Sequence, residues 1–448
     1  MSKEQKPSYL WKPEDDNRHF PSIIEWWCME GFFTSVEDKT KRSFKATFTE
    51  WYETKPKNIG SLYNLSLFNL DKGTHQLEYT RNESKQLDSK QDGFHVQYDS
   101  CYLKGLYPDY DMKLKNQNET VKLQLKYHAE ALPYWVAQTI TKGHLPMGLG
   151  TYRYGFIPDG KLTGTLTIDK KKYTVEGKGY YEHVWGNFSY TTPFRNLSEY
   201  KKTLSTYAKL IARHMRGTKI TIPRSIAFSS DNNPLSFDWA WALLDNGWSV
   251  FYGNVLFWIW DGPALGTLIL TKDGKTYHEF KKISFHYNKT KLAQCKGFCY
   301  PTDFEVTAEL KEKQLHLRFS MQNDAGEYNR RFDDPKLYVG YSIIEGPGSV
   351  TGYYTDGKEK IPLKGICKIE IQRQVSKFGH NMIQLNLLTP PKGIGITCNV
   401  DSHFLGKKLS GQLHLSPTPK LKVHTKNIDE IIENKPKKTA ESKKKTKP

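Results

Sequence analysis

Gly177-Lys178-Gly179-Tyr180-Tyr181-Glu182-His183-Val184-Trp185-Gly186 gathers glycines, tyrosines, an acid, a histidine and a tryptophan into one short run. Just upstream, Lys161-Leu162-Thr163-Gly164-Thr165-Leu166-Thr167-Ile168 and Tyr173-Thr174-Val175 are β-branched and alternating, with a lysine-rich turn between them. That pattern predicts a hairpin. The residues after Gly179 then continue a strand, where successive side chains point to opposite faces. Tyr181, His183 and Trp185 share one face, and Tyr180, Glu182 and Val184 the other. A histidine flanked by tyrosine and tryptophan on a concave surface suits acid/base work in an apolar pocket. The competing reading is a partly buried histidine among core aromatics.

The chain of 448 residues is long enough for two or three domains. Aromatic residues make up 13% of it against 37% hydrophobic in all, so much of the core is Trp, Tyr and Phe, which favours β structure. The net charge is +18, of which residues 425–448 supply +4 through eight lysines against four acids. The rest is spread along the chain without a basic, aromatic-spaced cluster or a nucleic-acid motif. Diffuse solvation is expected rather than nucleic-acid binding.

Six cysteines are scattered, and Cys295 and Cys299 form the only close pair. No further His or Cys completes a zinc pattern around them, so reduced thiols are expected, with a Cys295–Cys299 bridge as the alternative. The first residues lack the apolar core of a signal peptide, and no run approaches the roughly 18 apolar residues of a membrane span. A cytoplasmic location follows as the expectation.

Short alternating blocks recur from Ile23 onward, among them Ser43–Phe48, Ser61–Phe68, Phe94–Tyr98 and Val121–Tyr127. Period-two strands at this spacing read as a meander barrel or a sandwich. A repeat divides the chain. Gly160-Lys161-Leu162-Thr163-Gly164 is followed thirteen residues later by Gly177, and five beyond that by Glu182. Gly348-Ser349-Val350-Thr351-Gly352 is followed at the same intervals by Gly365 and Glu370, without the histidine or tryptophan. Chemistry should therefore be asymmetric and belong to the first copy. Between the copies, Leu197, Tyr200, Leu204, Tyr207, Ala208, Ile211 and Met215 predict an amphipathic helix with a basic outer face of Lys201, Lys202, Lys209, Arg213 and Arg216. Such a helix covers a barrel or lies on anionic lipid.

The expected organisation is a flexible arm over 1–21, a first barrel over 22–190, a helical insert over 191–234, a second barrel over 235–420 and a lysine-rich tail over 421–448. No dinucleotide fingerprint, P-loop, nucleophile elbow or metal-ligand spacing is present, so neither a cofactor nor a metal is expected. What remains is a set of acids and one histidine in aromatic company. Protonating an isolated alkene needs a strong acid, and aromatic faces stabilise the cation that forms. A carboxyl group desolvated by aromatics can stay protonated and act as that acid. Asp238, between Phe237 and Trp239, fits by sequence, with His183 taking a proton from water. Hydrogen bonding at a strand end is the alternative role for Asp238.

Three motifs carry a resemblance. Gly177–Gly186 resembles the Gly-x-Gly-Tyr-x-(Asp/Glu)-His-x-Trp-Gly signature of the carotenoid 1,2-hydratase family and its AttH-like relatives. Glu25-Trp26-Trp27-Cys28-Met29-Glu30-Gly31 is similar to the family's early Glu-Trp-Trp-x-x-x-Gly, and Phe237-Asp238-Trp239-Ala240-Trp241 to its Trp-Asp-Trp. The family's downstream Tyr-x-Asp pair is not reproduced, since residue 236 is serine. The resemblance implies a mostly β protein of two lipocalin-like antiparallel barrels with one amphipathic helix between them. It implies His183 and Trp185 as site residues, with Glu182 and Asp238 as further catalytic candidates. Glu25, Trp26, Trp27, Tyr181, Trp239 and Trp241 are the expected ligand contacts. A cofactor-independent enzyme acting on a hydrophobic isoprenoid or polyene substrate by hydration, isomerisation or cyclisation is the first expectation. A lipid- or isoprenoid-binding protein without turnover is the second. The expected partner is a hydrophobic small molecule, with peripheral membrane contact through the basic helix and tail as a further possibility. Asp238 and His183 are expected to face one cleft between the barrels.

Overall fold

The computed structural model describes residues 11–19, 22–54, 57–89, 94–188, 197–215, 224–293, 298–322, 339–357, 359–376, 380–388, 395–404, 407–415 and 420–427. The expected hairpin is present. Gly150–Ile168 runs antiparallel to Lys171–Asn187, and Asp169 and Lys170 close it with positive φ angles of 46° and 71°. Turns of this left-handed kind match the right-handed twist of the strands they join. The last strand of this unit returns to the first: Ile24–Ser35 pairs with Lys171–Asn187, placing Trp27 opposite His183 and Cys28 opposite Glu182. The resulting thirteen-stranded antiparallel sheet is built from residues 24–187 and curls around its own apolar core.

A ten-stranded sheet repeats the plan within residues 237–376, again with its first strand, Phe237–Leu244, pairing with its last, Lys360–Ser376. The glycine repeat has a steric cause. A Cβ on Gly177 would lie 2.0 Å from the Phe32 carbonyl oxygen, and one on Gly365 would lie 2.1 Å from that of Leu243. Both values are below any real contact, so each tightly coiled hairpin needs a bare backbone at the same point. The protein is thus mostly β, with two curled antiparallel sheets of lipocalin-like type.

Three core clusters result. One fills each curled sheet, and a third lies between the sheets, where Phe32, Tyr180 and Phe156 meet Trp239, Trp241 and Phe251. Phe156 and Phe251 stack at 4.5 Å, and Phe32 and Trp241 at 5.5 Å. Aromatic pairs of this kind add about 0.5–1.5 kcal/mol each beyond the area they bury.

The helix runs Leu197–Met215 and packs against both large sheets. Its buried face is only partly the one expected. Thr203, Thr206, Tyr207 and Leu210 are buried, while Leu204 and Ile211 are 63% and 39% exposed. Both threonines can be buried because their hydroxyls bond back to the carbonyls of Glu199 and Lys202, at 2.7 and 2.8 Å. Arg213, expected on the solvated face, instead donates to the Phe280 carbonyl at 2.9 Å. No helix among the described residues is long and apolar enough to cross a membrane.

Two further expectations are corrected. Trp11–His19, taken as part of a flexible arm, is packed into the first sheet. Trp11 stacks on Trp135 at 4.9 Å, and buried Asp16 accepts from Tyr181 at 2.8 Å and Tyr110 at 2.9 Å. These long-range partners are invisible in a polar, proline-containing segment. The C-terminal strands do not join the second curled sheet. Asn381–Leu388, Gly395–Phe404, Lys407–Leu415 and Lys420–Asn427 form a separate five-stranded sheet with Ser225–Ser229, so strand structure reaches into the expected tail. Arg216, Cys295 and the tail beyond residue 427 lie outside the described residues.

Candidate active site

Strand alternation divides the decisive stretch as its sequence indicates. Tyr180, Glu182 and Val184 face the space between the large sheets, and Tyr181 and His183 face the interior of the first. A cavity of about 210 Å³ lies between the sheets. Its apolar wall includes Trp26, Trp51, Tyr152, Phe188, Trp239 and Phe251. At its polar end stand Glu30, Lys45 and Glu182 from the first sheet with Glu345 and Glu370 from the second.

Register explains this convergence. Trp26, Cys28 and Glu30 share a face of Ile24–Ser35, Lys45 is the cross-strand partner of Glu30, and Glu345 is that of Glu370. Glu182 accepts hydrogen bonds from Trp26 Nε1 at 2.9 Å, from Tyr180 at 3.0 Å and from the Tyr154 hydroxyl. Lys45 bridges the sheets, bonded to Glu370 and lying 2.8 Å from Glu345. Lys368 Nζ sits 3.4 Å from Glu345 and 3.9 Å from Glu30 Oε2.

Burial sets the protonation of this cluster. It pushes the Glu30 carboxyl up to about 8, against the pull of Lys45 and Lys368. Glu182 is raised as well, first by burial and with Glu370 adding to it, while Lys45 and its hydrogen-bond donors hold it back. Burial works against the Lys45 ammonium, yet Glu345 and Glu370 hold it well above its ordinary value. Glu30 is 1% exposed, and its Oε2 makes no hydrogen bond among the described residues. Burial thus favours the protonated form of the Glu30 carboxyl at neutral pH, beside the ion-paired Lys45, Glu345 and Glu370.

The other expected residues divide between the cavity and the cores. Trp239 and Asp238 border the cavity, but Trp241 is sealed in the core between the sheets and donates to the Pro158 carbonyl at 2.8 Å. The Asp238 carboxylate is bound by Arg373 at 2.7 Å and by the Tyr287 hydroxyl at 2.5 Å, on the inner side of the second sheet. A carboxyl group held by both a guanidinium and a hydroxyl does not fit the role of a free acid. Its partner Arg373 is 135 positions away, which the local aromatic context could not reveal.

His183 is fully buried and outside the cavity, so the expected common cleft of His183 and Asp238 is not formed. Trp27 stacks on its ring at 4.8 Å. Its Nδ1 meets the Asp15 carbonyl oxygen at 2.7 Å and its Nε2 meets Glu25 Oε1 at 2.8 Å. Tyr181 is fully buried, with its hydroxyl on Asp16. Of the three residues expected to share a cavity, Trp185 borders a different space from the one between the sheets. This is a second space of about 320 Å³, shared with His19, His144, Tyr152 and Arg153. Sequence reasoning missed Glu30, Lys45, Glu345 and Glu370. Parity along Glu25–Gly31 was the available signal for Glu30, because it shares the face of Trp26.

No family model matches the sequence, and none of the curated proteins matches it. Among solved structures, a Nitrosomonas europaea protein provisionally designated AttH aligns over 81% of this chain and 97% of its own, at 16% identity and a TM-score of 0.54. Kievitone hydratase from Nectria haematococca aligns over 82% of this chain and 93% of its own, at 12% identity and a TM-score of 0.52. At these identities the likeness is one of architecture: this chain shares the paired, lipocalin-like β-fold of both proteins.

Proposed function

We propose that the cavity between the sheets is the active site of an enzyme that protonates a hydrophobic, unsaturated small molecule of isoprenoid or polyene type without a bound cofactor. The observation that carries this reading is the place of Glu30, a carboxyl buried at the polar end of an aromatic cavity, where burial raises it from 4.5 to about 8 and favours its protonated form at neutral pH. Its proton passes to an alkene carbon, forming a C–H bond and leaving a carbocation on the neighbouring carbon. Trp26, Trp239 and Phe251 offer ring faces to that cation. In hydration, water adds to the cation and gives up its proton to a carboxylate of the cluster, from which Glu30 is reprotonated. Loss of a proton from another carbon to the Glu30 carboxylate gives isomerisation instead, and attack by an internal double bond moves the cation to a new carbon, from which loss of a proton to the same carboxylate gives the cyclised product. Each course balances without an oxidant or reductant. The name of kievitone hydratase, which shares the fold, agrees with the first.

The test is deuterium incorporation. Purified protein is incubated in D₂O with a panel of polyenes such as geranylgeraniol, squalene and lycopene, and the products are analysed by mass spectrometry. The expected result is one carbon-bound deuterium per product from the native chain, and a rate at least roughly a hundredfold lower from Glu30→Gln. Tight retention of a polyene without deuterium in either protein would instead make the chain a binding protein.

A further inference from the structure

Apart from the cavity, the first sheet encloses three side chains with metal-ligating atoms. His19, Glu25 and His183 bring one such atom each within 4.8 Å of one another. They come from three places: the packed N-terminal segment, the strand Ile24–Ser35 and the strand Lys171–Asn187. Glu25 Oε1 lies 2.8 Å from His183 Nε2 and 3.1 Å from His19 Nδ1. His183 is fully buried and Glu25 is 2% exposed, while the His19 side chain is 26% exposed.

Hydrogen-bond logic makes this arrangement informative. The Asp15 carbonyl can only accept, so His183 Nδ1, 2.7 Å away, carries a hydrogen. A neutral imidazole protonated at Nδ1 has a lone pair at Nε2. That lone pair faces a carboxylate oxygen at 2.8 Å, in a place closed to water. Two acceptors in contact require a positive charge between them, either a second proton or a metal cation.

The donor set favours the cation. Two imidazoles and one carboxylate form a ligand set used for zinc and related divalent ions, with one position left open. Ligands at about 2.0–2.1 Å in a tetrahedron stand roughly 3.3 Å apart. The observed gaps of 2.8 Å and 3.1 Å are close to that spacing, and the remaining one, within 4.8 Å, closes by a turn of the partly exposed His19 ring. The supporting contacts are also in place. The Asp15 carbonyl fixes the His183 ring, as backbone carbonyls do for metal-bound histidines. The His19 main-chain N–H holds both Glu25 oxygens, at 3.0 and 2.9 Å, and the His19 ring stacks on Trp185 at 3.6 Å.

We propose that His19 Nδ1, Glu25 and His183 Nε2 form a binding site for a divalent transition-metal ion of the zinc class, with its open coordination position on the His19 side. His19 and Trp185 border the second pocket there, where Arg153, His144 and Lys202 suit water or a small anion as the remaining ligand. The site lies outside the cavity proposed for proton transfer and is independent of that reading.

The experiment uses the full chain, freed of any affinity tag and stripped of metal by a chelator, titrated with Co²⁺ and then Zn²⁺. Calorimetry and the visible absorption of four-coordinate Co²⁺ are the readouts. One equivalent of tight binding is expected, with Zn²⁺ displacing the Co²⁺ colour. His19→Ala and Glu25→Gln should each weaken affinity by at least roughly tenfold to a hundredfold, a range that even supporting residues of metal sites command. His128→Ala, which removes an exposed histidine outside both sites, should bind normally. Because Glu25→Gln perturbs a buried site, His19→Ala on the partly exposed side is the variant that decides if the other does not fold. Absence of stoichiometric binding by the native chain, or binding untouched by His19→Ala, would overturn the proposal and leave a buried His183–Glu25 pair sharing a proton.

Discussion

Glu182 and Glu370 occupy equivalent positions in the two long hairpins, and both border the cavity between the sheets. The repeat that supplies them is a folding device, since its glycines let each hairpin coil. It also places one carboxylate from each half against the same space. Their surroundings then diverge. Glu182 is held by Trp26, Tyr154 and Tyr180, and Glu370 by Lys45. Inside the sheets the halves differ more: Trp27 pairs with His183 in the first, and Asp238 with Ile371 at the equivalent point of the second. The asymmetry expected from the missing second histidine is present in the two interiors as well as in the surroundings of the two cavity carboxyls.

Glu30 should leave a signature in stability. Its carboxyl is raised from 4.5 to about 8 in the folded chain, so the folded state holds its proton more tightly than the unfolded one. This contribution is full below the unfolded value near 4.5 and is lost as pH rises through about 8. Denaturant titrations of the native chain and Glu30→Gln across that window should show stability falling with pH more steeply in the native chain. Parallel curves would contradict this.

Removing Lys45 should be costly. Lys45→Met leaves Glu345 and Glu370 as buried or half-buried carboxylates without their bridging cation. Breaking a buried pair in this way costs about 3–5 kcal/mol. Adding Glu370→Gln to Lys45→Met should recover part of the loss, because one of the stranded charges is then gone. Chemical denaturation of both variants is the measurement.

Asp238→Asn separates structure from catalysis at that residue. The substitution strands the fully buried Arg373 guanidinium and should cost on the order of 3–5 kcal/mol in stability. Turnover per folded molecule should change by less than about threefold, far below the roughly hundredfold expected for a lost general acid. A large fall in kcat at full folding would return Asp238 to the chemistry.

Filling the cavity should act on binding alone. Thr49 borders it and is only half-buried, so Thr49→Trp can place its ring in the space with little disturbance of the sheet. Retention of a polyene, followed by fluorescence or co-purification, should drop at least roughly tenfold while the melting temperature stays within about 3 °C of the native value.

Much of the fold is legible in the residues themselves. The alternation of Leu162–Ile168 and Tyr173–Val175 fixes the hairpin, and its continuation through Trp185 assigns each side chain to the correct face. The matching glycine spacings mark both coiled units. What sequence does not carry is the identity of what each face meets. Tyr181 and His183 face inward, but only the structure shows Trp11, Asp15 and Asp16 filling that interior. Asp238 lies among aromatics locally and against Arg373 in space. Glu30 was within reach, since it shares the parity of Trp26, but the burial that raises its carboxyl comes from packing against a second sheet, whose Lys368 and Glu345 lie more than three hundred residues away. Local pattern gives faces and turns, and long-range register gives the chemistry.

The central claim is that Glu30 is a protonated acid at neutral pH inside the cavity, and its titration tests this most directly. Full-length protein labelled with ¹³C at the glutamate side-chain carboxyls can be followed by NMR across pH, with the Glu30 signal assigned by its loss in Glu30→Gln. The account requires that this signal titrate near 8. Titration near the ordinary value of 4.5 would make Glu30 one more ion-paired carboxylate and remove the acid from the proposed mechanism.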